Sequence, residues 1–146
     1  MKSKYFDIKE LVCKHVYNKY GDGADMFLDE KLVETLNVIR EKILCVPMTV
    51  NDWHNGGGFT QRGFRCNVCE LVKSKTDIGR MYLSAHTQGK AVDCSVSGMT
   101  AEESRRKIIA MQHLLPYPIR LEDGVSWLHI DVYNNGRGEK VTLFKA

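Results

Sequence analysis

The sequence contains no apolar run that approaches transmembrane length, and its N-terminus, Met1-Lys2-Ser3-Lys4-Tyr5, has no apolar leader. About 20 apolar residues are needed to cross a bilayer as a helix. A secretory leader needs a shorter apolar stretch directly behind its basic residues. We therefore expect synthesis in a cytoplasm without a signal peptide, and no membrane span.

Clustered basic charge is also missing. The 146 residues carry 21 Lys and Arg against 18 Asp and Glu, so the formal net charge is only +3, and the basic residues are scattered. Proteins that bind nucleic acid usually concentrate Lys and Arg on one face. The charge pattern therefore predicts no nucleic-acid partner, and the length and composition predict a single globular domain over residues 1–146.

The five cysteines do not form a disulfide framework, because their number is odd and their spacing is irregular. Cys66 and Cys69 make a lone CxxC pair, with no second pair at the spacing of a zinc site. We therefore expect free, partly buried thiols. A redox or zinc-knuckle protein built on Cys66 and Cys69 is the alternative that this pair leaves open.

Hydrophobic periodicity predicts an α+β domain in which helices pack on one side of an antiparallel sheet. Asp29 is a good N-cap for one helix, and Thr100 with Glu103 matches the capping box of another. Further helical segments are expected at residues 5–20 and 70–75. Strands are expected at residues 48–51, 88–96, 119–122, 126–133 and 141–144, with a turn at 134–136.

Asp123-Gly124 predicts a tight two-residue hairpin turn between the third and fourth of these strands. This turn would pair Glu122 with Val125 and Arg120 with Trp127. Side chains alternate along a strand, so the hairpin should have one apolar and one polar face. The apolar face would hold Ile119, Leu121, Ser126, Leu128, Ile130 and Val132. The polar face would hold Arg120, Glu122, Trp127, His129 and Asp131.

Three residues form a candidate metal site: His86 in a loop, Asp93 on the strand that follows it, and His129 on the hairpin. Two histidines and a carboxylate leave one coordination position open for water, as in catalytic zinc sites. Glu122 projects to the same side as His129 and could act as the general base, and Asp123 is the competing candidate. Asp131 could hold a ligand histidine through a hydrogen bond.

Ser84-x-His86-x-x-Gly89-x-Ala91-x-Asp93 followed by Trp127-x-His129-x-Asp131 resembles the zinc D-alanyl-D-alanine carboxypeptidase family. That family shares its fold with the hedgehog signalling domain and includes phage endolysins such as L-alanyl-D-glutamate peptidases. The resemblance implies that His86, Asp93 and His129 bind Zn²⁺. It also implies that Arg65, in the segment Gly63-Phe64-Arg65, contacts the substrate or the reacting carbonyl.

The same resemblance implies a peptidase acting on the peptide stems of the bacterial cell wall, either after release during phage lysis or as a virion component. Apart from the resemblance, we expect a monomer. Ser84 and Trp127, from the two motifs, are expected to contact the substrate together with Arg65. One departure is that many family members carry the catalytic carboxylate three residues before the last histidine, where this chain has Ser126. A non-catalytic module of the same fold, binding zinc or the cell wall, is therefore the alternative.

Overall fold

The computed structural model describes residues 3–133 and 139–146, and the predicted turn at 134–136 lies outside these ranges. The helices are α1 Ile8–Leu11, α2 Lys14–Tyr20, α3 Glu30–Val38, α4 Glu70–Asp77 and α5 Ala101–Ala110. The strands are β1 Met48–Thr49, β2 Ala91–Val96, β3 Ile119–Glu122, β4 Leu128–Asp131 and β5 Val141–Phe144. Short 3₁₀ turns cover Gly21–Phe27, Trp53–Asn55, His86–Gln88 and Gln112–Leu114, and a π-helical segment, Ile39–Leu44, continues α3.

The strands form one mixed sheet in the order β1-β2-β4-β3-β5. The first three neighbouring pairs are antiparallel, but β3 and β5 are parallel, with Ile119 opposite Val141. The α+β class is therefore confirmed, whereas the prediction of a purely antiparallel sheet is wrong. In this pair β5 lies at the edge of the sheet, beside β3.

The predicted register of the hairpin is also wrong. Arg120 lies opposite Asp131 rather than Trp127, four residues further along β4. Gly124 takes the left-handed conformation alone, with φ +76°, so the connection is a wider loop and not a two-residue turn. The guanidinium of Arg105 on α5 holds this loop open, because it donates hydrogen bonds to the carbonyl oxygens of Glu122, Val125 and Trp127.

The two faces of the hairpin nevertheless remain as expected, because a shift by an even number of residues preserves the side of the sheet on which each side chain lies. Ile119, Leu121, Leu128, Ile130 and Val132 are buried in the core, while Glu122 and His129 lie on the opposite face. Ser126 is the exception. It was expected on the core face, but it is exposed within the open loop.

Helix signals in the sequence are confirmed where they are local. The Asp29 side chain accepts a hydrogen bond from the Lys31 N–H at the start of α3, and Thr100 and Glu103 form the complete capping box of α5. The apolar residues of α3 and α5 join those of the sheet in one core cluster, and α5 contacts β2 and β4. Among the described residues, no helix is both long and apolar enough to cross a membrane.

The first predicted helix, residues 5–20, is broken between α1 and α2. The carbonyl oxygen of Val12 leaves the helical pattern and accepts hydrogen bonds from Asn51 Nδ2 and Trp53 Nε1, at 3.1 and 3.3 Å. Val12 also forms a parallel bridge with Phe64. These partners are remote in sequence, so the continuous apolar stripe of residues 5–20 gave no sign of the break.

Gly89 ends the turn that carries His86, and we expect Gly89→Ala to lower the free energy of unfolding by about 3 kcal/mol. Its φ is +69°, and a β-carbon would collide with the carbonyl oxygen of Phe27. The left-handed backbone accounts for about 1–2 kcal/mol of this loss and the collision for the rest. Urea denaturation measures the change.

Gly98→Ala is the matched control, because Gly98 has a φ of +71° but no atom within 4 Å of the added carbon. It should lose only the backbone contribution of about 1–2 kcal/mol. Equal losses in the two variants would show that the contact between Gly89 and Phe27 does not constrain the turn.

Candidate metal centre

Three elements bring the proposed ligands together. His86 begins the 3₁₀ turn that Gly89 closes, and the chain then enters β2, which carries Asp93. On the neighbouring strand β4, His129 lies directly opposite Asp93 in the antiparallel register. The pairing of β2 with β4 therefore sets the distance between two of the three ligands, and the turn before β2 supplies the third.

The side chains of these three residues converge at one point. His129 Nδ1 lies 2.9 Å from Asp93 Oδ1, and His86 Nε2 lies 3.3 Å from Asp93 Oδ2. The three potential ligand atoms all lie within 4.8 Å of one another, and all three residues are buried. A single ion could contact all three, so the geometry agrees with the predicted ligand set.

Each histidine has its second ring nitrogen held by an oxygen acceptor. His86 Nδ1–H donates to the carbonyl oxygen of Gly63 at 3.0 Å, and His129 Nε2–H donates to Asp131 Oδ2 at 2.7 Å. Histidines that bind metals are typically oriented in this way. The arrangement leaves Nε2 of His86 and Nδ1 of His129 directed at Asp93, and Asp131 has the orienting position that the sequence predicted.

Arg120 fixes Asp131 in turn. Its guanidinium makes two hydrogen bonds of 2.9 Å to the two carboxylate oxygens of Asp131, which is fully buried. Arg120 also packs over the ring of Phe144 on β5, at 4.1 Å, and this ring meets His129 edge-on. Sequence analysis placed Arg120 on the correct face without a role, and it missed Phe144 because the parallel pairing of β5 has no local signal.

The charges of the site depend on these contacts. Burial by itself would lower the pKa of His129, but hydrogen bonds to Asp131 and Asp93 outweigh it and raise the pKa to about 9. Burial would raise the pKa of Asp93 and of Asp131. Hydrogen bonds from His129 and His86 to Asp93, and from His129 and Arg120 to Asp131, nevertheless hold both pKa values below their usual range. Without a metal, His129 is therefore a cation between two carboxylates at neutral pH, and a metal would replace the proton on its Nδ1.

Of the two carboxylates considered as the general base, only Glu122 faces this group. Glu122 Oε2 lies 4.0 Å from His129 Nδ1, and its side chain is only 13% exposed. Asp123 instead accepts a hydrogen bond from the Gly124 N–H through Oδ1, and it is not among the residues that line the pocket. The structure therefore brings Glu122 to the metal ligands and leaves Asp123 in the turn.

The three proposed ligands line a pocket of about 550 Å³. The same pocket is lined by the three residues expected to contact substrate, Arg65, Ser84 and Trp127. The Arg65 side chain contacts one of the proposed metal ligands directly, because one of its guanidinium nitrogens lies 3.3 Å from Asp93 Oδ2. A second guanidinium nitrogen donates to the hydroxyl of Tyr82 at 2.8 Å. Tyr82 was not identified from the sequence, since residues 60–83 show no clear periodicity.

Comparison of the chain with protein-family models, with curated proteins and with solved structures gave no match in any of the three. The chemistry of the site therefore depends on its own residues. Two imidazole nitrogens and one carboxylate oxygen suit catalytic zinc, and the same donor set also occurs around non-haem iron(II).

Proposed function

We propose that the chain is a zinc-dependent peptidase that hydrolyses an amide bond in the peptide stems of bacterial cell walls. The observation that carries this proposal is the position of Glu122, a largely buried carboxylate that lines the same pocket as His86, Asp93 and His129 and lies 4.0 Å from His129. The resemblance of its two motifs to the zinc D-alanyl-D-alanine carboxypeptidase family, with its hedgehog-like fold, supports zinc over iron and peptidoglycan as the substrate.

His86, Asp93 and His129 would hold the zinc, which when bound acidifies a water molecule and polarises the carbonyl of the bond to be cut. The Glu122 carboxylate would accept the proton of that water and donate it to the departing amine. Its position, 4.0 Å from His129 Nδ1 and within the pocket that the ligands line, supports this role.

Arg65 would bind the substrate. Three of its guanidinium N–H groups have partners, namely Gln61 O, Tyr82 Oη and Asp93 Oδ2, out of the five that an arginine carries. The remaining N–H groups could either grip a peptide carboxylate or stabilise the oxyanion of the tetrahedral intermediate. The first role suits a carboxypeptidase and the second suits an endopeptidase as well.

A neighbouring cleft leaves room for a longer substrate. The metal pocket shares Arg65, Tyr82 and Leu83 with a second pocket of about 680 Å³. Peptide on one side of the cut bond could therefore continue past Arg65 into this second pocket. Ser84 and Trp127 border the metal pocket itself and would contact the residues nearest to the bond.

The test is release of new amino groups from purified peptidoglycan, with mass spectrometry of the fragments to identify the bond. We expect release by the zinc-loaded protein, none after removal of zinc by a chelator, and restoration when zinc is returned. His86→Ala should lose activity, whereas His113→Ala, a change at an exposed histidine beyond α5, should retain it.

The alternative is a non-catalytic wall- or zinc-binding module of the same fold, for example in a phage particle. Ser126 keeps this alternative open, since it stands where many family members have a carboxylate and lies outside the lining of the metal pocket. Zinc-loaded protein that binds peptidoglycan but releases no amine from any wall substrate would establish the alternative. Purified protein that holds iron instead of zinc would contradict the zinc peptidase and the zinc-binding module alike.

A further inference from the structure

A second group of metal-binding side chains lies outside the pocket described above. Cys13 directly precedes α2, His15 lies in its first turn, and Cys66 and Cys69 lie in the segment that leads into α4. The sequence shows only the CxxC pair and gives no sign that His15 lies near it. The fold brings the two segments together across about 50 positions of sequence.

The distances within this group are those of a tetrahedral metal site. His15 Nδ1 lies 3.6 Å from Cys66 Sγ and 3.7 Å from Cys69 Sγ, and the two sulfur atoms lie 3.9 Å apart. A tetrahedron with Zn–S bonds of about 2.3 Å and a Zn–N bond of about 2.0 Å has edges of roughly 3.5–3.8 Å. All four ligand atoms, including Cys13 Sγ, lie within 4.8 Å of one another.

The surroundings favour a metal over the two ordinary explanations of such cysteines. A disulfide would require its sulfur atoms to be about 2.05 Å apart, and all five cysteines are free. Simple burial of apolar thiols does not explain why an imidazole nitrogen points at two of them.

We propose that Cys13, His15, Cys66 and Cys69 form a structural zinc site, separate from the centre at His86, Asp93 and His129. Three thiolates and one imidazole fill all four positions of tetrahedral zinc, so no position remains for water or substrate. Binding releases the protons of the three thiols to solvent. The cysteines are free of disulfides in the structure, as their odd number and irregular spacing predict. The proposed zinc site does not depend on whether the chain is a peptidase.

Zinc at this site would hold in place the segment around Phe64, which contacts the centre at His86, Asp93 and His129. Cys13 N–H donates to the carbonyl oxygen of Phe64 at 3.1 Å, and Phe64 N–H donates to the carbonyl oxygen of Leu11 at 2.8 Å. The residues on either side of Phe64 are Gly63, whose carbonyl oxygen orients His86, and Arg65, which reaches Asp93. A zinc ion bound to Cys66 would therefore stabilise this irregular segment at the point where it contacts His86 and Asp93.

The first experiment needs no variant. Elemental analysis of the purified wild-type chain should give two zinc ions per molecule. After exchange with cobalt(II), the spectrum should show intense sulfur-to-cobalt absorption in the near ultraviolet, which a site of two histidines and one aspartate cannot produce. One zinc per chain together with a cobalt spectrum free of sulfur bands would overturn the proposal.

Single substitutions then show which of the two sites holds each zinc ion. Cys66→Ser should reduce the zinc content from two to one and abolish the sulfur bands, whereas His86→Ala should remove the other ion and keep the bands. Cys45→Ser, at an exposed cysteine outside the group, is the matched control and should retain two ions. Two ions in Cys66→Ser would refute the assignment.

Loss of zinc from this site could prevent folding, so two milder substitutions at His15 complete the test. His15→Cys preserves four ligands and should keep two zinc ions with stronger sulfur bands, whereas His15→Ala should bind the second zinc more weakly, by about 10-fold or more. Equal retention of zinc by these two variants would exclude His15 as a ligand and overturn the four-residue site.

Discussion

Glu122→Gln is expected to lower kcat on a peptidoglycan peptide by about 10²–10⁴-fold while the zinc content remains that of the wild type. The amide keeps the shape of the side chain but cannot accept the proton of a water molecule. Glu122 lies 4.0 Å from His129 and is not itself one of the three converging ligands, so the metal should stay bound. Steady-state kinetics together with elemental analysis separate the two effects.

Asp123→Asn provides the comparison within the same hairpin. Asp123 is the adjacent carboxylate, but its side chain faces the Gly124 N–H and does not line the metal pocket. Its kcat should therefore stay within the same order of magnitude as the wild type. Full activity in Glu122→Gln with loss of activity in Asp123→Asn would reverse the assignment of the general base.

Asp93→Ala is expected to abolish zinc binding at this centre and to lower the free energy of unfolding of the metal-free protein by about 3–5 kcal/mol. Asp93 contacts His86, His129 and Arg65, and its side chain is only 12% exposed. Removal of this carboxylate leaves buried positive groups without their shared partner. Urea denaturation in the presence of a chelator isolates the loss of these ion pairs from the loss of the metal.

Asp77→Ala is the control for a surface aspartate. Its ion pair with Lys73 is more than half exposed on both sides, so its removal should cost no more than about 1 kcal/mol. A loss in Asp93→Ala as small as that in Asp77→Ala would mean that His86, His129 and Arg65 do not rely on Asp93 in the metal-free protein.

Structural features that depend on residues close together in the sequence could be predicted. The Asp29 cap, the Thr100 capping box and the bounds of β3 and β5 all depend on short patterns, and each is found as expected. The hairpin loop is different, because the Arg105 side chain of α5 overrides the preference of Asp123-Gly124 for a tight turn. The break after α1 likewise depends on partners about 40 residues away.

The candidate site shows the same division. His86, Asp93 and His129 could be found because strand alternation and the motifs place them on one face. Glu122 was placed on the correct face of the sheet despite the incorrect register, because the predicted strand pairing differs from the observed one by an even number of residues. Tyr82 and the association of His15 with Cys66 could not be found, since contacts between segments so far apart have no periodic signal in the chain.

The segment from Gly63 to Cys66 connects the two metal groups. Gly63 orients His86 and Arg65 contacts Asp93, while Cys66 belongs to the cysteine and histidine group. Order imposed on this segment by an ion at either group would reduce the entropy that remains to be lost at the other. The affinities of the two ions would then be linked, and linkage is reciprocal. The protein would fill its two sites cooperatively, and a chelator that removes one ion would weaken the hold on the second.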